Sequence, residues 1–274
     1  MTLPIFGALP GETRGYVATR HGQIHYRKHG EGTPVLLIHQ APWSSIQYRH
    51  ALPLLAAAGY CAIAPDLPSH GMSDPTEAPS IELYADAMAA FLDGLGIGQA
   101  AVVGHHGGAL VAGRLAARHG GKVRGIVLDN APLYTAEQRA ERLKRFSDPQ
   151  ILERDGHHFT DRWALVRRIG DPQWSDETVH LSLVAYFANG PWKEQSHWAA
   201  ANYDFAPDVA KIACPALVIA SRTDPVYPSG VALLALQPAW SYAELPGGAG
   251  MVFDRVGEWC VPVLEFLASL PGKG

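Results

Sequence analysis

The stretch Gly104-His105-His106-Gly107-Gly108 sets two adjacent imidazoles in a glycine-rich turn between an apolar run, Ala100 to Val103, and an alanine-rich segment, Ala109 to His119. Imidazole is the side chain that most readily gives or takes a proton near neutral pH, so this placement points to proton transfer or nucleophilic attack. A strand, a tight turn and a helix in that order put His106 at the tip. The tip is expected in a strained, positive-φ conformation, which persists where something uses it and which needs small residues two positions away on either side, here Gly104 and Gly108. The positive end of the following helix should favour neutral His106, leaving it available as a base or nucleophile. His105, one residue before the tip, points back toward the sheet and reads as structural. The bland alternative for His106 is a ring that fills the cleft of a protein without activity.

Other candidate groups are weaker. Asp129 ends a buried strand and could serve as a substitute acid near the cleft. His39 and His70 sit in turns, where ring nitrogens commonly hold backbone. Of the remaining histidines, His157, His158, His180 and His197 read as solvated, although any one could lean into the cleft. No histidine or cysteine spacing resembles a metal site, because His105 and His106 are adjacent and diverge, and no metal or other cofactor is expected. Cys61, Cys214 and Cys260 are odd in number and lie in or beside apolar runs, as buried small hydrophobes do.

The elements that must position these groups alternate. Val17 to Arg20 and Gln23 to Lys28 form an expected hairpin. Apolar runs at Pro34 to Ile38, Tyr60 to Ala64, Ala100 to Val103, Val123 to Leu128, Ala216 to Ala220 and Tyr242 to Leu245 read as strands. Between them the apolar spacing predicts helices over Ile46 to Ala58, from an N-cap at Ser80 to Leu95, over Ala109 to His119, near Gly230 to Leu236 and over Val252 to Leu270. This is a mainly parallel sheet with helices on both faces, an α/β class. Residues 131–206 interrupt the alternation, are rich in charge and aromatics, and read as a helical cap over a core of 1–130 and 207–274. Four of the seven tryptophans fall there, Trp163, Trp174, Trp192 and Trp198, to build the cap's own core or to face a ligand. A chain of 274 residues, 47% hydrophobic, can bury a substantial core unaided. A formal charge of −4 excludes the basic footprint of nucleic-acid binding, and no stretch approaches the roughly 20 apolar residues of a membrane span, so a cytoplasmic protein is expected.

Five segments, HQAP (His39 to Pro42), DLPSHGMSD (Asp66 to Asp74), GHHGG, SRTDPVYP (Ser221 to Pro228) and LPGGAGMVF (Leu245 to Phe253), resemble in order and spacing the α/β-hydrolase superfamily. The resemblance implies that GHHGG is the nucleophile elbow with histidine in the serine place. It assigns Asp224 to the triad acid and the Ala41 and Gly107 amides to the oxyanion hole, while Gly250 falls where the catalytic histidine should be and Gln40 where HGxP has glycine. No histidine follows His197, so the base that activates an elbow serine, or water after an elbow aspartate, is absent from its usual loop. Moving one imidazole from the loop to the elbow leaves Asp224 to receive it, so a His106–Asp224 dyad is expected, with Gln40, Asp129 and His39 as auxiliaries and open space beside Gly250. The resulting expectation is an enzyme acting on a small, largely apolar carbonyl or activated acyl compound, without a cofactor. Lyase or isomerase chemistry by proton transfer at His106, or ligand binding without reaction, are the alternatives; neither nucleic acid nor membrane is an expected partner.

Overall fold

The computed structural model describes residues 7–145, 152–189 and 194–271. Eight strands form one sheet: β1 (Glu12–Thr19), β2 (Gly22–His29), β3 (Thr33–Ile38), β4 (Tyr60–Pro65), β5 (Ala100–His105), β6 (Val123–Asp129), β7 (Ala216–Ser221) and β8 (Ser241–Leu245). Their order is β1-β2-β4-β3-β5-β6-β7-β8. The pairs β1/β2 and β2/β4 are antiparallel and the rest parallel. The central strands are continuous apolar runs because both faces are covered. Val35 and Leu37 enter one buried cluster with Trp259 and Val263, while Leu36 and Ile38 enter the other with Phe91 and Leu115.

Helix α2 (Ile81–Gly94) starts as expected, with the Ser80 hydroxyl accepting from the Leu83 amide at 3.1 Å. The expected helix over Ile46 to Ala58 divides into a 3-10 turn, Ser45–Tyr48, and α1 (Ala51–Ala57). Pro53 explains the break: its ring opposes helical backbone four residues earlier, and it is tolerated in the first turn, where amides have no helical partner anyway. The final helix likewise divides at Arg255 into α10 (Met251–Asp254) and α11 (Val256–Ser269). Helices α3 (Gly107–Arg118) and α9 (Tyr227–Leu236) follow β5 and β7.

Between β6 and β7 lie α4 (Ala136–Leu143), α5 (His157–Ile169), α6 (Asp176–Ala188), α7 (Gln195–Asn202) and α8 (Ala206–Val209), with no strand among the described residues. A Thr135/Gln138 capping box opens α4, and the Ser175 hydroxyl caps α6. No described helix is long and apolar enough to cross a membrane.

Candidate active site

The elbow is held by backbone. His106 has φ 48° and ψ −116°, and α3 begins at Gly107. The His106 amide donates to the Asp129 carbonyl at 2.9 Å, which ties the tip to the end of β6. A β-carbon on Gly104 would stand 2.3 Å from the Gly108 carbonyl oxygen, and one on Gly108 would stand 2.2 Å from that of Ile38. Strand β5, helix α3 and strand β3 therefore approach closely only because both positions lack side chains.

The ring of His106 reaches across the top of the sheet to the loop after β7, where its Nε2 lies 2.8 Å from Asp224 Oδ2. The other carboxylate oxygen accepts from the Val226 amide at 2.9 Å, so both oxygens of Asp224 are occupied and the side chain is fully buried. Asn130 fixes this loop from below, accepting from the Ser221 amide at 2.8 Å and donating to the Ser221 hydroxyl at 3.0 Å. The His106 side chain is 24% exposed, and its Nδ1 makes no hydrogen bond among the described residues.

Electrostatics run against the expectation that the helix end holds the imidazole neutral. Burial pulls the His106 ring toward its neutral form, but the Asp224 carboxylate, by charge and by hydrogen bond, lifts its pKa above the ordinary 6.5. Burial alone would push Asp224 up; the facing His106 and the Val226 amide hold it below the usual carboxylate range. The helix-end effect is small beside a carboxylate at 2.8 Å.

The cavity above His106 has a volume of about 530 Å³. Its floor includes Gln40, Ala41, Gly107, Asp224 and Gly248, and the helical segment contributes Arg142, Arg162, Val166, Trp174 and His197. The Ala41 and Gly107 amides donate to no described residue. The two residues are neighbours, the Ala41 nitrogen lying 3.9 Å from where a β-carbon on Gly107 would stand.

The space beside Gly250 is filled, contrary to expectation. A β-carbon there would stand 2.0 Å from Nε1 and 2.3 Å from Cδ1 of Trp174, whose indole sits edge-on to Phe253 at 5.9 Å between ring centroids. The indole of the segment between α5 and α6 thus occupies the ground beside the bare loop, with its N–H buried and unpartnered. Of the other tryptophans singled out, Trp163 lies under the Arg167 guanidinium, Trp198 is exposed, and Trp192 falls outside the described residues.

Three candidates stand away from the cavity. Asp129 is buried behind the elbow, accepting from Trp259 Nε1 at 2.8 Å and from the Asn130 side chain at 2.9 Å. Burial pushes its pKa up to about 7, against the Trp259 hydrogen bond. His105 is held by Gln47 at 3.0 Å, its edge against the His106 ring, and burial keeps it neutral, well below 6.5. His39 is a bracket: Nε2 accepts from the Leu67 amide and Nδ1 bonds the Gln40 carbonyl. Gln40 does line the cavity, while its amide donates to the Gln47 side chain. Among the other histidines, His197 reaches the cavity beside Glu194, whereas His157 pairs with Asp155 and Glu153 on the exposed side of α5. Glu153, His157 and Asp161 bring ligand atoms within 4.8 Å of one another there, outside the cavity lining. Trp174, one of the four tryptophans singled out in the sequence, does line the cavity, whereas Tyr134 and the arginines escaped sequence reasoning because no local pattern marks a side chain that reaches the site from an inserted segment.

Comparisons with known proteins agree with this architecture. An epoxide hydrolase of Caballeronia sordidicola is 28% identical over 191 residues, 67% of this chain and 55% of its own length. The bifunctional epoxide hydrolase 2 of Rattus norvegicus is 34% identical over 127 residues, 44% of this chain and 23% of its own, so the matches span less than two thirds of either relative. A haloalkane dehalogenase of Mycobacterium marinum is 34% identical over 126 residues, 44% of this chain and 42% of its own. Among solved structures, an epoxide hydrolase from Vigna radiata superposes with a TM-score of 0.79 at 21% identity, over 96% of this chain and 100% of that one. The family model described as alpha/beta hydrolase fold matches residues 33–253, and the chain belongs to that family.

Proposed function

We propose that the protein is a hydrolase of small, largely apolar, activated acyl compounds in which His106, oriented by Asp224, replaces the Ser-His-Asp arrangement. The observation that carries this reading is the 2.8 Å contact between His106 Nε2 and Asp224 Oδ2, with Nδ1 left unbonded at the cavity floor. In the neutral ring, the form present above its raised pKa, Nε2–H donates to the carboxylate and Nδ1 carries the basic lone pair. Nδ1 stands one bond further from the backbone than a serine oxygen would, and the Ala41 and Gly107 amides, which donate to no described residue, are available to a developing oxyanion. One ring then spans the ground of two residues, nucleophile at Nδ1 and acid-anchored nitrogen at Nε2.

Two routes use that lone pair. In the covalent route a bond forms from Nδ1 to the acyl carbon, the bond to the leaving group breaks with its electron pair, and water then attacks the labile acyl-imidazole, releasing the acid and restoring the ring. In the other, Nδ1 takes a proton from a water that attacks the acyl carbon directly, the bond to the leaving group breaks with its electron pair, and Nδ1–H returns the proton to the departing group, restoring the ring. Residues 131–206 act in this reading as a cap on a core of 1–130 and 207–274, closing the cavity and limiting the substrate to a small one.

A panel of p-nitrophenyl esters tests it. Wild type turns over short esters and His106→Ala does not; equal rates in the two, or none above buffer in wild type, refute the reading. Rapid-quench mass spectrometry separates the routes, since only the covalent one adds the acyl mass to the peptide bearing His106.

A further inference from the structure

The charges around the cavity do not cancel locally. Its lining includes three carboxylates, Asp171, Glu194 and Asp224, and three guanidiniums, Arg142, Arg145 and Arg162. Every carboxylate is engaged. Asp224 holds His106 and the Val226 amide. Asp171 accepts from the Gly248 amide at 3.0 Å and the Gln173 amide at 2.9 Å. Glu194 faces His197 and Arg162, the latter at 3.6 Å. Arg145, just past the end of α4, lies 3.8 Å from Glu141 of that helix.

Arg142 differs. It forms no ion pair with any described carboxylate, and its guanidinium lies 4.1 Å from the centroid of the Tyr134 ring. A guanidinium held over a ring by its charge keeps N–H donors for a planar, two-oxygen acceptor. Tyr134 lines the cavity too, so ring and cation form one wall of it. The charge also reaches the reacting ring, because Arg142 works against protonation of His106.

We propose that Arg142, held on Tyr134, is the binding site for a carboxylate carried by the substrate. The compound cleaved at His106 is then an acyl compound with an apolar body and an anionic end, an inference that rests on the function proposed above. A single guanidinium offers the paired donors that match a carboxylate. The apolar wall formed by Leu165, Val166 and Ile169 suits the chain between the two ends.

The experiment has a catalytic arm and a binding arm. In the first, mono-p-nitrophenyl glutarate is compared with the neutral p-nitrophenyl valerate. Wild type should prefer the anionic ester, and Arg142→Gln should lower the ratio of the two kcat/KM values by tenfold or more. Arg142→Lys, which keeps the charge without the fork, should fall between them and serves if the glutamine variant folds poorly. A ratio unchanged in both variants overturns the proposal. In the second arm, glutarate binding is measured by calorimetry in His106→Ala, with and without Arg142→Gln, so that it does not depend on turnover. A tenfold or greater loss of affinity on removing Arg142 upholds the anion site even where no ester is cleaved, in which case only the catalytic reading has failed. Equal affinities in the two proteins overturn the anion site whatever the ester results.

Discussion

Gly250→Ala adds one methyl group at the point where the structure has least room for it. The new carbon would stand 2.0 Å from Trp174 Nε1 and 2.3 Å from Cδ1, both rigid ring atoms. The indole cannot swing away freely, because it lies against Phe253, and a β-carbon on Gly170 would already stand 3.0 Å from its six-membered ring. Overpacking of this kind costs about 1–3 kcal/mol. The backbone at Gly250, φ −74° and ψ −11°, suits alanine, so the loss of glycine's unfolded-state freedom stabilises by about 0.4–1 kcal/mol. The substitution should therefore destabilise wild type by roughly 0–2.6 kcal/mol, the difference of those two ranges.

In a Trp174→Ala background the collision is gone and only the stabilising part remains. The two substitutions should then couple by about 1–3 kcal/mol, a range typical of residues in direct contact. Urea unfolding of the four proteins measures this, with unchanged m-values as the check that the transition stays comparable. The idea fails if Gly250→Ala changes stability equally in both backgrounds. The same geometry says that Gly250→His, which restores the residue type expected in that loop, needs Trp174→Ala alongside it before the ring can enter.

Three further outcomes are expected. Asp224→Asn should lower ester turnover by about 10²–10⁴-fold by spoiling the tautomer and orientation of His106, and should move the acid limb of the pH–rate profile to lower pH, since Asp224 is what raises the His106 pKa. Asp129→Asn should change turnover little but cost about 1–3 kcal/mol of stability, read as a lower Tm, because its carboxylate accepts on both oxygens and an amide turns one of them into a donor facing a donor. Gly108→Ala should prevent folding or accumulation of soluble protein, since its β-carbon meets backbone oxygens of Ile38 and His39 at 2.2 and 2.6 Å.

The stability contributed by the His106–Asp224 pair has a definite pH window. The folded pKa of His106 is raised, so its contribution is full below the ordinary 6.5 and is lost as pH rises through the raised value. Asp224 is lowered, so its contribution is present above the ordinary 3.8 and is lost as pH falls through the lowered value. Thermal melts should show wild type gaining most over His106→Ala between those limits, near pH 5, and progressively less as pH rises through the raised His106 pKa. A gap that widens toward alkaline pH would contradict the raised His106 pKa.

The strands were legible because β3 to β7 are buried on both faces and so are written as unbroken apolar runs. Helix ends were less so. Apolar spacing ran on through Arg49 and His50, while a single imino acid, Pro53, decided where α1 could begin. At the site, the tip conformation of His106 followed from local glycines, and its partner followed from motif order along the chain. The direction of its pKa did not, because the helix end taken by itself favours the neutral ring and leaves out the charge of the carboxylate expected beside it.

The filling of the Gly250 side was the least legible feature, and it bears on how the site is organised. A missing loop histidine suggested a vacancy, but a vacancy lined by apolar groups is costly, and interiors are packed to leave few of them. Trp174, 76 residues earlier, enters from the inserted helical segment and closes it. Three positions therefore depart together from the arrangement the motifs imply: an imidazole stands at 106, no side chain stands at 250, and an indole from 174 lies where the loop's ring would have been. Replacing any one of them alone leaves either a collision or a void. The site thus reads as a rebuilt arrangement with its own packing logic, in which the ground beside the bare loop is taken by the indole and not left for a second ring.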